Sequence, residues 1–317
     1  MAHITAGDLS PVTYLIENEY GTPAGTAQYY ADIAEGGKFT IQDNNNPYLA
    51  WRYGSRSFDP ADYVTQQRDA AFNAILEARD AQGWQRIIVN AVGTGGGTAP
   101  YGPLPSRTEQ IHVRTDRNVW QGRRYYGCKT DSLTIKADAP GSIVQFEENV
   151  LASYADDNDL QAPLESWASG TPAVQWLSGA KIGTTQIYPQ SFSLSISNAL
   201  GRKYKPTNGQ AITGALLEGR REITAEFDLW MEDLANIRAS IANGSVANIE
   251  LTLGIAAPVK ITLTGVCWMA DGDYSDLVQD KQREKLRFRA AGMVVAAVST
   301  AMLGASPEEP TEEQPEA

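Results

Sequence analysis

The chain has 317 residues, 26 of them basic and 38 acidic, giving a formal charge of −12, with 42% hydrophobic and 20% charged residues. This is a globular composition with core enough for one large domain or two ordinary ones, and its acidity argues against a protein that coats nucleic acid by counterion release. Much of the excess sits at the end, where Ser306–Ala317 carry five Glu, three Pro and no base; such a segment cannot bury a core and is expected to be a disordered tail.

The opening residues Met1–Asp8 lack both a basic and an apolar stretch, so no signal peptide is expected. Asp59-Pro60 reads as a helix cap with proline at the first helical position. Phe72, Ile75, Leu76 and Arg79 then fall at helical spacing, and Gly83 can close the element. Arg86–Val92 reads as a strand feeding the glycine-rich stretch Gly93-Thr-Gly95-Gly96-Gly97. The third glycine is misplaced for a dinucleotide fingerprint and no helix can start promptly, so a plain loop to Pro105 is expected. His112 alternates with Ile111 and Val113 in a strand, and Leu133-Thr-Ile135-Lys is a further short alternation.

Beyond residue 190 the pattern has period two. Phe192, Leu194 and Ile196 alternate with serines; Ile223, Ala225, Phe227 and Leu229 alternate with Thr224, Glu226 and Asp228. Ile249–Leu253, Val259–Thr264 and Lys285–Arg289 repeat the pattern. Each is a strand with one buried and one wet face, which is the antiparallel signature. Between Asn198 and Gly219 lies a stretch rich in turn residues, expected to be a functional loop or a long hairpin arm. Leu234, Ile237 and Ile241 mark a second helix from about Glu232 to Ala242, stopped by Asn243-Gly244. The longest purely apolar run, Met293–Val298, is far below the roughly 20 residues of a membrane span. The expected fold is mainly β: a sandwich or barrel of antiparallel strands with one or two short helices. The body is expected to be residues 1–305, with 36–120 an inserted or elaborated region, followed by the tail 306–317. No repeat at a fixed period is convincing; Cys128–Ala137 and Tyr188–Asn198 show only a loose echo.

Groups that could do chemistry are sparse. Cys128 and Cys267 lie 139 positions apart without ligand spacing and read as core-filling thiols. His3 and His112 have no nucleophile motif nearby. Glu147 and Glu148 are adjacent on a strand and point to opposite faces, so they cannot flank one substrate atom. The acidic clusters Asp156–Asp159 and Asp271–Asp276 lack the glycine and distal Glu of a calcium loop. No catalytic residue, metal or cofactor is expected. Two basic stretches run against the overall acidity: Arg114, Arg117, Arg123, Arg124 and Lys129 among aromatics, and Lys281 to Arg289. They fit a subunit interface better than single-stranded nucleic acid in an acidic protein.

Three pieces carry a family resemblance: Glu19-Tyr20-Gly21-Thr22-Pro23 near the start, Gly127-Cys128-Lys-Thr-Asp-Ser-Leu133-Thr-Ile135, and Ser191–Asn198 followed by a loop and Glu218-Gly219-Arg220-Arg221-Glu222–Leu229. In these the chain resembles the tail tube (major tail) proteins of long-tailed bacteriophages and related archaeal viruses. The resemblance implies a structural virion protein that self-assembles into stacked rings around a hollow bore for viral DNA, made in the host cytoplasm and ending in the virion tail. It implies partners in the chain itself, as hexameric or trimeric rings, and in the tape measure, tail terminator and distal tail proteins. DNA passes without specific binding, and no membrane is involved. Ser193, Ser195, Ser197, Thr224, Glu226 and Asp228 are then candidates for the lumen, with outside solvent the alternative. Arg202, Lys203 and Lys205 on the arm, with Arg123, Arg124, Arg287 and Arg289, are candidates for contacts between subunits or rings. A distal tail or baseplate ring protein is the nearest alternative. A carbohydrate-binding β-sandwich using Trp51, Trp84, Trp167, Trp176 and Trp268 is another, and a glycosidase the last.

Overall fold

The structure, a computed structural model, describes residues 11–34, 39–42, 44–49, 63–78, 81–93, 103–116, 119–156, 176, 180–207, 210–230, 245–254, 259–269, 274–275 and 283–297. The first half contains β1 (Pro11–Glu19), β2 (Thr22–Ile33), β3 (Phe39–Ile41), β4 (Asn44–Leu49), β5 (Tyr63–Glu77), α1 (Ala81–Val92), β6 (Arg107–Asp116), β7 (Val119–Ala137), β8 (Gln145–Ala152) and β9 (Tyr154–Asp156). The second contains β10 (Ala180–Ile182), β11 (Thr185–Ile187), β12 (Ser191–Ser197), β13 (Gly201–Thr207), β14 (Gln210–Leu217), β15 (Glu222–Trp230), β16 (Ser245–Leu253), β17 (Val259–Met269), β18 (Tyr274–Ser275) and β19 (Arg283–Ala297). The fold is mainly β, as the alternation of apolar and polar residues requires.

Eight strands hydrogen-bond side by side in the order β3-β5-β8-β7-β12-β15-β19-β17, each antiparallel to the next. This wall is half buried throughout: β8 alternates buried and half-buried residues along its whole length, and β12 does so until its last residue. Further strands extend from it. The first part of β7 pairs with β6, β6 with β1, β1 with β2, and β2 with the end of β5. At the other end β17 pairs with β16, and β16 with β10, which turns back as β11. Two hairpins, β4 with the start of β5 and β13 with β14, form a separate sheet joined by a short parallel pairing of Ala211 and Ile212 with Gln67 and Arg68. The Asn198–Gly219 stretch is therefore a hairpin arm.

Two expectations are corrected between residues 59 and 92. Tyr63–Glu77 is a strand, because Ala70, Phe72, Ala74 and Leu76 form a period-two buried face whose small alanines hide among residues that also fit a helical stripe. The helix lies later, over the stretch that reads as a strand. Trp84, Ile87, Ile88 and Ala91 stand at i, i+3, i+4 and i+7 and are all fully buried. Each large apolar side chain so buried contributes about 1.5–3 kcal/mol. Gly93, rather than opening a ligand loop, ends this helix at φ 84°, donating its N–H to Val89 O at 2.7 Å. The core is one cluster between the wall and the elements laid over it; Trp84 meets Phe146 edge-on at 5.1 Å and Trp176 meets Phe192 at 4.9 Å. Cys128 is buried but Cys267 is exposed, so only the first is core-filling; the residues of β17 switch faces between buried Leu263 and buried Val266, which turns Cys267 outward. The second expected helix, Glu232–Ala242, lies outside the described residues, as do His3, Arg117, the tail 306–317 and most of both aspartate clusters.

Candidate functional site

The wall buries one face and presents the other. Cross-strand registers place the side chains of the presented face in rows: Ile75, Glu147, Thr134, Ser195, Thr224, Arg289 and Cys267 in one, and Gln145, Lys136, Ser193, Glu226, Arg287 and Met269 in the next. A third row runs from Asn73 and Asn149 through Ser132 and Ser197 to Glu222. All six residues singled out on sequence grounds, Ser193, Ser195, Ser197, Thr224, Glu226 and Asp228, thus share one face with Arg287 and Arg289.

That face is electrically balanced. Its acids are Glu147, Glu222, Glu226 and Asp228 and its bases Lys136, Lys285, Arg287 and Arg289, while Lys129 and Lys260, also on wall strands, are paired with Glu218 and Glu250, each at 2.7 Å. They interleave across strands. Arg287 Nε lies 2.8 Å and Lys285 Nζ 3.2 Å from Glu226, Arg289 Nη2 2.9 Å from Glu222, and Lys136 Nζ 3.7 Å from Glu147. Partial burial alone would raise the Glu226 carboxyl, but hydrogen bonds and charge from Arg287 and Lys285 hold it below the ordinary glutamate value. Exposed pairs of this kind contribute little to stability, about 0–1 kcal/mol each. Their larger effect is on the surface field, since among the described side chains the bases of this face stand beside carboxylates.

The arm is fixed at its base by polar contacts. Asn198 Nδ2 donates to Ala91 O and Thr130 O, both at 2.9 Å, and Arg221 donates from Nε to Asn198 Oδ1 at 2.7 Å and from Nη1 to Val92 O at 2.6 Å. The last carbonyls of α1 are thereby satisfied by an amide and a cation, both favourable at a helix C-terminus. Gly219 closes the loop against Ala199 O, only 2.4 Å from where a Cβ would stand. Arg202 is held within the chain: its guanidinium donates to Ala152 O and Ala70 O, each at 2.8 Å, and to Thr213 Oγ1 at 3.1 Å. Lys203 and Lys205 are exposed further along the arm. Arg124 is buried with its guanidinium 5.1 Å from the Tyr126 ring, whereas Arg123 is half-buried beside Tyr125.

Sequence reasoning missed two polar centres, one half-buried and one buried. Glu17 ties the β1–β2 turn to the rest, accepting from Gly21 N at 2.9 Å, Thr108 Oγ1 at 2.6 Å, Gly127 N at 2.8 Å and Ser106 Oγ. The turn it anchors is Tyr20-Gly21, so the spacing Glu17-x-x-Tyr20-Gly21 was the available signal. Where β6, β7 and β8 meet, Arg107 is bound by Glu109 and Glu148, the latter at 2.6 Å, with Thr130 donating to Glu148 at 2.6 Å. Burial pushes the Glu109 carboxyl up against the pull of Arg107. His112, fully buried with Thr13 Oγ1 at 3.0 Å from its Nε2, is depressed to about 4 by burial. Arg107, Glu109, Glu148 and His112 are enclosed within the fold.

No group of three or more His, Cys, Asp or Glu able to hold a metal occurs among the described residues, and no helix among them is long and apolar enough to cross a membrane. No curated protein matches the sequence. The profile of the family described as phage tail tube protein matches residues 7–309, nearly the whole chain. By that match, and with the mainly β fold, the chain belongs to the phage tail tube protein family.

Proposed function

We propose that this tail tube structural protein assembles with itself into rings, that the rings stack into a hollow tube, and that the balanced polar face of the wall lines the bore through which viral DNA is delivered. One observation carries the reading: an eight-strand antiparallel wall with a core on one face and, on the other, serines, threonines and charges whose described bases are paired with carboxylates. DNA is a dense line of negative charge. A cationic bore would retain it and a strongly acidic one would oppose its entry, whereas a neutral hydroxyl-rich bore lets it slide. Closing the wall into a ring also removes open strand edges that would otherwise associate without limit. The exposed Lys203 and Lys205 place positive charge on the arm, which suits it to carboxylates of the next ring. The protein would be made in the host cytoplasm and would meet the tape measure, tail terminator and distal tail proteins in the assembled tail.

Negative-stain electron microscopy of the purified protein over a concentration series tests this. Rings or hollow tubes of uniform bore are expected. Solid fibres, or particles that remain single copies at every concentration, would count against it.

A further inference from the structure

The order of paired strands occurs twice along the chain. In the first half β1 turns into β2 and also pairs with β6; in the second, β10 turns into β11 and also pairs with β16. β3 pairs with β5, and β5 with β8; correspondingly β12 pairs with β15, and β15 with β19. The hairpin β6–β7 matches β16–β17, and β8 beside β7 matches β19 beside β17 and β18. Each half inserts a hairpin arm before its β5 or β15 segment of the wall.

Registers agree across the wall. Val12 opposite Ile111 has its counterpart in Ala180 opposite Leu251. Phe72, between Ile41 and Val150, corresponds to Ala225 between Leu194 and Phe288. Ile135 opposite Phe146 and Lys136 opposite Gln145 correspond to Tyr274 opposite Glu284 and Ser275 opposite Arg283. The offset between β8 and β19 is the same in the last two comparisons, so the match between these wall strands needs no slip.

The two halves are joined by one antiparallel seam, the end of β7 against β12, where Ile135 faces Leu194 and Lys136 faces Ser193. By the correspondence, the same seam has two loose ends. β18 is the counterpart of the end of β7 and, among the described residues, pairs only with β19; β3 is the counterpart of β12 and pairs only with β5. At that edge Ile41 is 50% exposed, although its counterpart Leu194, covered by β7, is 2% exposed. An apolar side chain on the core side of an open edge strand marks a surface that another strand covers.

We infer that the chain is two copies of one module, and that the β7–β12 seam is repeated between chains, with β18 of one copy pairing antiparallel to β3 of the next, so that three chains close a ring of six modules. The inference rests on the ring-forming reading above. Size sets the smallest number, which we take. Strands about 4.8 Å apart and tilted by about 40° close, for three chains of eight wall strands, at a backbone diameter of about 50 Å. Two chains would close at about 33 Å, which side chains reduce to roughly the 20 Å width of a DNA duplex with no clearance. Three is the smallest ring that passes it.

Disulfide trapping tests the seam. Ser275→Cys and Thr40→Cys, in a Cys267→Ser background, would stand opposite each other across the junction, at the 4.5–5.5 Å of paired antiparallel residues and within disulfide reach. The pair Lys136→Cys with Ser193→Cys, which the structure places opposite each other, is the control and should oxidise within single chains. Oxidised assemblies, run denatured without reductant, are expected to give a ladder that ends at three chains. A ladder ending at six or any other number overturns the stoichiometry, and assembly without cross-links overturns the seam, both leaving the tube reading standing. Single copies at all concentrations overturn both readings. Ile41→Lys is the second variant: the residue is half-exposed in the single chain, so unchanged thermal unfolding with at least tenfold weaker assembly is expected, and unimpaired assembly contradicts the inference.

Discussion

Buried ionisable groups give the residue scale its clearest consequences. The folded-state value of the Glu109 carboxyl lies above its unfolded value. The folded protein therefore binds a proton that the unfolded chain releases, and the associated stability, complete below the unfolded value, is lost as pH rises through the folded one. His112 acts at the other side. Its folded value of about 4 lies below the ordinary 6.5, so its contribution is present above 6.5 and is lost as pH falls toward 4. Thermal unfolding between about pH 4 and pH 9 should accordingly show a maximum, and Glu109→Gln should flatten the alkaline side while leaving the acid side unchanged. An alkaline slope that survives the substitution would assign it to another group. None of this was legible beforehand. Alternation marks which positions face inward, but a Glu or His at such a position looks like any polar residue until its neighbours from distant strands are known.

At the scale of elements, the clean alternations of β12, β15, β16, β17 and β19 were legible because each has a polar face that contrasts with its core face. The stretch from 59 to 92 was not. Phe72, Ile75 and Leu76 satisfy helical and strand spacing together, and Ile87-Ile88-Val89 conceals the stripe of α1 inside a continuous apolar run. The arm was legible as an insertion, because turn residues separate two good strands, but what holds it was not. Asn198 satisfies the end of α1, the backbone of β7 and Arg221 at once, so Asn198→Ala leaves two carbonyls and a guanidinium short of partners. A loss of about 1–3 kcal/mol is expected in denaturant unfolding of the single chain. Reversing charge on the arm with Lys203→Glu and Lys205→Glu should act differently: rings should form normally and stacking should weaken, which sedimentation of rings against tubes would resolve. Equal stacking would remove the arm from the contact between rings.

For the whole molecule, the duplication was hidden because what the two halves share is pairing, not composition. Matched core positions exchange Phe for Ala and Val for Phe, and the continuous strand β7 is answered by β17 and the short β18. The one echo noticed in the sequence links the end of β7 to its neighbour β12, not to its counterpart. Family membership was legible, since the turn at Tyr20-Gly21 and the strand–arm–strand order around residues 191–229 are local in sequence. The charge of the assembled surface is also a property of the whole. With Ser306–Ala317 contributing five of the acids, their removal should leave ring formation intact while shifting electrophoretic mobility, and loss of rings on deletion would give the tail a structural part.

The most direct measurement is electron cryomicroscopy of the assembled particle at a resolution that separates strands. The account predicts a hollow tube with three chains and six similar modules per ring, its bore lined by Ser193, Ser195, Thr224 and Glu226 with their paired bases. A bore lined by the face that carries α1, or a particle without a bore, would contradict it.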